Sequence, residues 1–107
     1  MGCKYRGDFM LREPVVKVFQ HVSTLPAIGG IKVVKVDPQR YQIFLNSSMS
    51  LTSWGEKITL SFFDPLDGGT RVIAESQSAL ATTLIDYGKN RKNVEQIEQA
   101  LRLMFPG

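Results

Sequence analysis

The stretch WGEKITLSFFDPLDGGTRVIAESQ, residues 54–77, has the pattern of two β-strands joined by a tight turn. Every second residue from Trp54 to Phe62 is apolar except Glu56, and this alternation is typical of a strand with one buried face. Asp67-Gly68-Gly69 follows, and glycine supplies the positive φ that the primed hairpin turns require. Residues 71–77 then alternate again. We therefore predict an antiparallel hairpin in this part of the chain.

The clearest helical pattern covers about residues 86–104. Its apolar residues are spaced three, four and three apart, on one face of a helix: Val94, Ile97, Leu101 and Met104. Extending this stripe backward places Asn90 on the same face. We therefore expect Asn90 to be partly buried, with its amide bonded to the connection between the last strand and this helix, because buried polar groups need partners.

The N-terminal half supplies the remaining elements of one domain, residues 1–107. These are a strand over residues 6–11, a helix that opens at Pro14 and ends before Gly29-Gly30, and strands over residues 31–36 and 41–51. The predicted order is β-α-β-β-β-β-α, with the first strand absent in the alternative. This order favours an α+β fold in which both helices cover one face of a curved antiparallel sheet of four or five strands.

Composition and charge exclude several classes of protein. The 107 residues are 43% hydrophobic and 21% charged, as in ordinary globular domains, and no apolar run approaches a membrane span. The formal charge of +3 comes from the first half of the chain, but this asymmetry is too shallow for a nucleic-acid arm, so nucleic-acid binding stays an alternative that is not favoured. The single cysteine, Cys3, excludes an intramolecular disulfide, and no signal-peptide pattern follows it. We expect a cytoplasmic protein.

Few residues suit catalysis or cofactor binding. His21 is the only histidine and is predicted at the edge of the first helix's apolar stripe, while Asp64 and Asp67 flank a turn and are assigned to turn chemistry. No phosphate loop, dinucleotide fingerprint or metal-ligand spacing is found. We therefore expect no catalytic residue, no metal and no cofactor, and an enzyme is the less favoured interpretation.

Several polar residues of the predicted hairpin are candidate binding residues. Arg71 and Glu75 share one strand face, so they are solvated if the helices cover the other face, whereas a pocket on their side would make Arg71 an anion or carboxylate clamp. Trp54 is either a core or rim aromatic or an exposed stacking platform. Glu56 lies on the apolar face and needs a partner, for which Arg71 is the candidate if the register allows.

The start of the last helix carries three cations, Lys89, Arg91 and Lys92, where the helix dipole favours acidic residues. Together with free backbone N–H groups, these cations could hold a phosphate or another anion. In the alternative interpretation the helix begins later, at Asn90 or Asn93, and the lysines point into solvent.

A family resemblance rests on three short motifs: Gly68-Gly69-Thr70-Arg71-Val72, Glu75-Ser76-Gln77-Ser78 and Asp86-Tyr87-Gly88-Lys89-Asn90-Arg91-Lys92. Over about residues 36–104 the chain resembles a family of small bacterial and plastid proteins known only as a domain of unknown function. This resemblance implies a bacterial type of protein and no established activity. The element order also resembles the TATA-binding-protein-like arrangement and a shortened helix-grip fold of the START or polyketide-cyclase type. The latter folds wrap a curved sheet around a C-terminal helix and often hold an apolar ligand.

Three functions follow from these observations. The first is non-enzymatic binding of a small molecule or a protein partner in a groove between the sheet and the C-terminal helix. The second is binding of an anion or a nucleic acid by the basic start of that helix. The third is an enzyme of unassigned chemistry. The candidate binding residues are those named above: Trp54, Glu56, Arg71, Glu75, Lys89, Asn90, Arg91 and Lys92.

Overall fold

Six antiparallel strands and two helices make up the parts of the chain described by the computed structural model, residues 4–47, 55–78 and 88–106. In chain order the elements are β1 (Lys4–Leu11), α1 (Val15–Ser23), β2 (Ala27–Ile28), β3 (Ile31–Asp37), β4 (Gln42–Asn46), β5 (Glu56–Phe63), β6 (Thr70–Ser78) and α2 (Lys89–Met104). The strands form one sheet in the order β1-β6-β5-β4-β3-β2. The predicted α+β class is confirmed, with one strand, β2, added to the predicted order.

Both helices pack on the same face of this sheet. The inner face of β5 and β6 is apolar because alternate residues point the same way, and it buries Leu60, Phe62 and Val72. From α1, the ring of Phe19 meets the ring of Phe62 edge to face, with 5.5 Å between centroids. From α2, Ile97 is completely buried in the same cluster. The predicted stripe of the last helix and the predicted placement of the helices are therefore confirmed.

The turn between β5 and β6 is held by two aspartate side chains. Asp64 Oδ1 accepts a hydrogen bond from the Leu66 N–H at 2.8 Å, and Asp67 Oδ1 accepts one from the Gly69 N–H at 2.9 Å. Gly68 has a φ of 90°, in the region that favours glycine. The turn role predicted for both aspartates is confirmed.

A second hairpin joins β2 to β3 and was not predicted. Ile28 pairs with Ile31, so that Gly29 and Gly30 form a two-residue turn with φ values of 58° and 82°. We had assigned these glycines to the end of the first helix, which instead ends at Ser23. A Cβ on Gly29 would lie 2.7 Å from the Gln96 backbone oxygen, so the turn touches α2 and needs glycine there.

The predicted end of one strand and the predicted start of the last helix fall outside the described residues. The strand predicted over residues 41–51 corresponds to β4, which ends at Asn46, while residues 48–54, including Trp54, lie outside the described parts. The last helix begins at Lys89 after Gly88, and residues 79–87, which precede them, are likewise outside. No helix in the described parts is long and apolar enough to cross a membrane.

Candidate functional site

A buried carboxylate, Glu56, occupies the first position of β5. Only 9% of this residue is exposed. Its Oε1 atom accepts hydrogen bonds from Ser47 Oγ at 2.7 Å and from Asn93 Nδ2 at 2.8 Å. The Glu56 backbone N–H donates to Ser47 Oγ at 2.9 Å, which leaves the serine hydroxyl proton for the carboxylate. The strand β5, the end of β4 and the helix α2 therefore fix the position of this carboxylate.

Two further polar side chains continue inward from Asn93. Its Nδ2 lies 3.4 Å from Ser76 Oγ, and Ser76 Oγ donates to Asn90 Oδ1 at 2.8 Å. Ser76 and Asn90 are completely buried. The predicted burial of Asn90 is confirmed, while the connection to which we expected its amide to bond lies in residues 79–87, outside the described parts. We call Ser47, Glu56, Ser76, Asn90 and Asn93 the polar cluster.

The polar cluster lies at one end of an otherwise apolar interface. On α2, Asn90 and Asn93 occupy the first turns of the face that Val94, Ile97 and Leu101 continue, so the helix presents amides at its beginning and hydrocarbon further along. On β6, Ser76 follows Ala74 on the inner face of the strand. Periodicity thus places the polar groups of strand and helix opposite each other, where they satisfy each other's hydrogen bonds.

A cleft of about 620 Å³ opens beside Glu56 and Asn93. It is bounded by the β2–β3 turn, the adjoining ends of β4 and β5 and the first half of α2. Three lysines, Lys32, Lys89 and Lys92, are exposed and line it. The cleft therefore has a buried carboxylate in its wall and cations at its surface, and its volume lies in the usual range of small-molecule sites.

The three cations at the start of α2 do not all point the same way, because successive residues of a helix lie on different sides of it. Lys89 and Lys92 line the cleft, and within the described parts of the chain neither has a carboxylate within ion-pair distance. Arg91 does not line it, and its Nε lies 3.6 Å from Glu95 Oε2, one turn along the helix. Because the helix begins at Lys89, the alternative starts at Asn90 and Asn93 are one and four residues too late. Asn93 is a buried residue within the helix rather than its cap.

Arg71 is not the partner of Glu56. It pairs in register with Phe63, at the far end of β5 from Glu56, and it points to the outer face of the sheet. There Arg71 forms two hydrogen bonds with the Asp8 carboxylate. These bonds and the positive charge of Arg71 lower the pKa of the Asp8 carboxyl below its ordinary value. The same bonds and the negative charge of Asp8 raise the pKa of Arg71 above its ordinary value. The alternation of a strand separates the two residues that the sequence analysis had paired.

Glu75 also lies on the outer face of β6. Its Oε1 is 3.9 Å from Lys4 Nζ, and both side chains are substantially exposed. The solvated interpretation of Arg71 and Glu75 is therefore confirmed, and neither reaches the cleft. An exposed ion pair of this kind contributes little to stability.

The remaining described residues include the candidates for metal ligands and for further binding residues. Among them, no group of three or more histidine, cysteine, aspartate or glutamate side chains could hold a metal ion. His21 is exposed on α1, with its ring edge to face against that of Phe105 at 5.5 Å between centroids. Two other depressions among the described residues, both lined by Met10, Leu11 and Arg12, contain none of the buried polar groups found at Glu56.

Three residues of the site were not among the predicted binding residues: Ser47 and Asn93, which hold Glu56, and Lys32, which reaches the cleft from β3. Asn93 carried a usable signal, because it lies three residues after Asn90 and beside Val94 on the helical stripe. Ser47 carried a similar signal, since it follows Ile43 and Leu45 on one alternating face. Lys32 carried none, because only the register of the sheet brings it to the cleft.

Comparison with known proteins identifies the fold. Neither a family model nor a curated protein matches this sequence. Among solved structures, Ara h 8.0201 matches with a TM-score of 0.65 at 10% identity, over 94% of this chain and 92% of that protein. A protein from Nitrosospira multiformis matches with a TM-score of 0.67 at 11% identity, over 98% and 97%. A point mutant of norcoclaurine synthase from Thalictrum flavum, in complex with a transition-state analogue, matches with a TM-score of 0.56 at 8% identity, over 97% and 94%.

These likenesses show a Bet v 1-like, helix-grip fold. Of the two arrangements that the element order resembles, the helix-grip arrangement is the one supported. Identities of this size show the fold alone, so the resemblance to the uncharacterised family stays a prediction.

Proposed function

We propose that this chain binds a small molecule in the cleft beside Glu56. The observation that carries the proposal is the buried carboxylate itself, which lines the cleft while Ser47 and Asn93 hold one of its oxygens. Burying a carboxylate is costly unless hydrogen bonds compensate for lost water. A chain that places such a group beside an open cleft has the arrangement of a binding site, where a few fixed polar groups orient a ligand.

The ligand proposed here is polar, in contrast to the apolar ligand that the helix-grip resemblance implies. The space between the middle of α2 and the sheet is occupied by one cluster of buried apolar side chains, which includes Ile58, Leu60, Ile97 and Leu101. The cleft lies at the beginning of α2, beyond this cluster, and lysines and amides contribute much of its lining. A fold relative, norcoclaurine synthase, was solved with a transition-state analogue, which supports a small-molecule site in this fold without identifying the ligand.

A binding role without catalysis is the proposal that the side chains favour. The described residues that line the cleft include no histidine, cysteine or tyrosine, and the only serine hydroxyl among them, that of Ser47, is engaged with Glu56. Nucleophilic catalysis needs an activated nucleophile with a free lone pair. Although Ser47 donates its proton to Glu56, its oxygen also accepts from the Glu56 backbone N–H at 2.9 Å, so the hydroxyl is held in the wall of the cleft. An enzyme of unassigned chemistry remains the less favoured alternative.

Binding of a nucleic acid is the second candidate, and Lys89 and Lys92 favour it because they are exposed on one side of α2. Against it, Arg91 is ion-paired with Glu95, so the three cations do not form one continuous basic surface. A nucleic acid held by phosphate contacts would dissociate steeply with increasing salt, whereas a small molecule held in the cleft would respond far less.

The proposal is tested by mapping fragment binding in solution. A library of small polar fragments is titrated into ¹⁵N-labelled protein, and we expect hits to shift the amides of Gly30, Glu56 and Asn93 together. The matched pair of variants is Glu56→Gln and Glu75→Gln, which make the same chemical change inside and outside the cleft. Glu56→Gln should weaken the cleft hits and Glu75→Gln should not. The proposal would be contradicted by fragments that bind to other surfaces, or by fragments that bind Glu56→Gln as tightly as the unaltered protein.

A further inference from the structure

We propose that the ligand of this cleft is a two-ended small molecule, with a hydrogen-bond-donating group at one end and an anionic group, a phosphate or a carboxylate, at the other. This inference rests on the binding function proposed above and adds the chemical class of the ligand. It follows from the opposite chemistry of the buried and the exposed parts of the cleft.

The buried part of the cleft calls for a donor. Glu56 Oε1 already accepts from Ser47 Oγ and Asn93 Nδ2, and within the described residues no hydrogen bond to Glu56 Oε2 is found. A ligand group next to this carboxylate must therefore donate, as a hydroxyl, an amide N–H or an ammonium does. A second anion at this place would be repelled by the carboxylate. Because Glu56 is buried, little water is present to weaken that repulsion.

The exposed part calls for an anion. The described residues that line the cleft include three lysines and a single acidic side chain, so the field at its surface is positive. Lys89 and Lys92 are three residues apart on α2, close enough for both ammonium groups to reach one phosphate or carboxylate. Lys32 reaches the cleft from β3, on a different element. An anionic group bound at the surface thus meets cations from the helix and from the sheet.

The two requirements together fix the orientation of the ligand. The donating end lies against Glu56, in the wall of the cleft, and the anionic end lies outward against Lys89 and Lys92. Joining the two ends in one molecule should bind more tightly than either alone, because the second contact then forms within one complex.

The test compares whole and half ligands on the unaltered protein by calorimetry at constant ionic strength. The two-ended probes are 2-aminoethyl phosphate and glycerol 3-phosphate, and the halves are ethanolamine, glycerol and inorganic phosphate. We expect at least one two-ended probe to bind about tenfold more tightly than any half. The better of the two identifies the donor at Glu56 as an ammonium or a hydroxyl. This comparison needs no variant, so it does not depend on the folding of one.

Variants then assign the two ends. Glu56→Gln should abolish the advantage of the two-ended probe over inorganic phosphate, and Glu75→Gln should keep it. Combining Lys89→Gln and Lys92→Gln in one variant should weaken the binding of every phosphate probe about tenfold or more. Arg91→Gln should leave the affinity for these probes unchanged.

Each outcome decides between the class of ligand and the function. If inorganic phosphate binds in the cleft as tightly as the two-ended probes, the two-ended class is wrong and an anion site remains. If fragments bind in the cleft but neither a phosphate probe nor β-alanine, which joins an ammonium to a carboxylate, binds there, the class is wrong and the binding function stands. If neither fragments nor probes bind in the cleft, both are wrong.

Discussion

Two serines on one strand should respond in opposite ways to the same substitution. Ser76 Oγ is completely buried and donates to Asn90 Oδ1 at 2.8 Å, with Asn93 Nδ2 3.4 Å away. Ser78 lies two residues further along the same face of β6, and its buried Oγ has no hydrogen-bond partner among the described residues. Ser76→Ala should therefore destabilise the fold, and Ser78→Ala should not.

The size of the effect follows from the bonds that are lost. A buried hydrogen bond contributes about 1 kcal/mol net, and a partner left unsatisfied raises the cost toward about 2 kcal/mol. The 3.4 Å contact to Asn93 is long and adds little. Ser76→Ala should thus lower the free energy of unfolding by about 1–2 kcal/mol, or the Tm by about 5–10 °C in a domain of this size. Ser78→Ala removes an unsatisfied group, so it should be neutral or stabilising by up to about 1 kcal/mol.

The assay is urea unfolding followed by circular dichroism, with the slopes compared to confirm that the folded states are alike. Asn90→Leu supplies the second side of a double-mutant cycle, because it removes the acceptor of the Ser76 hydroxyl. Asn90→Leu should lower the free energy of unfolding less in the Ser76→Ala background than in the unaltered chain. Equal losses of unfolding free energy in Ser76→Ala and Ser78→Ala, within about 0.5 kcal/mol, would contradict the stabilising role of the Ser76–Asn90 hydrogen bond.

Two further predictions concern the β2–β3 turn and the outer face of the sheet. Gly29→Ala should destabilise the protein more than Gly30→Ala, since both have positive φ but only at Gly29 would the Cβ meet the backbone of Gln96, at 2.7 Å; equal Tm losses would argue against that close approach. Arg71→Gln should return the lowered pKa of Asp8 toward 3.8 in an NMR titration, because the hydrogen bond that lowers it is lost. Since a carboxyl with a lowered folded-state pKa stabilises the fold above its unfolded-state pKa, this contribution should disappear as the pH falls through the folded-state value, and a pKa unchanged in the variant would contradict the assignment.

Local patterns predicted the elements that carry their own signal. The alternation of β5, the glycines at Gly68-Gly69 and the stripe of α2 are each readable within a few residues, because strand and helix periods and turn chemistry are local. The β2–β3 hairpin was missed because β2 has only two residues, Ala27–Ile28, too few for any alternation. Its glycine pair between isoleucines was nevertheless a hairpin signal.

The site was predicted less completely than the fold because it is assembled across the sheet. Glu56 was recognised as a polar residue on an apolar face that needed a partner, and this part of the interpretation is confirmed. The partner was wrong, since the register and facing of β6 decide that Arg71 points away. Ser47 and Asn93, the true partners, come from β4 and α2. No spacing along the sequence encodes that meeting.

The most direct test of the proposed mode of binding is the crystal structure of the protein with 2-aminoethyl phosphate at saturating concentration. The proposed mode of binding predicts the molecule in the cleft, with its ammonium within about 3 Å of the Glu56 carboxylate and its phosphate against Lys89 and Lys92. The phosphate turned toward Glu56, or the molecule bound elsewhere while the cleft stays empty, would contradict it.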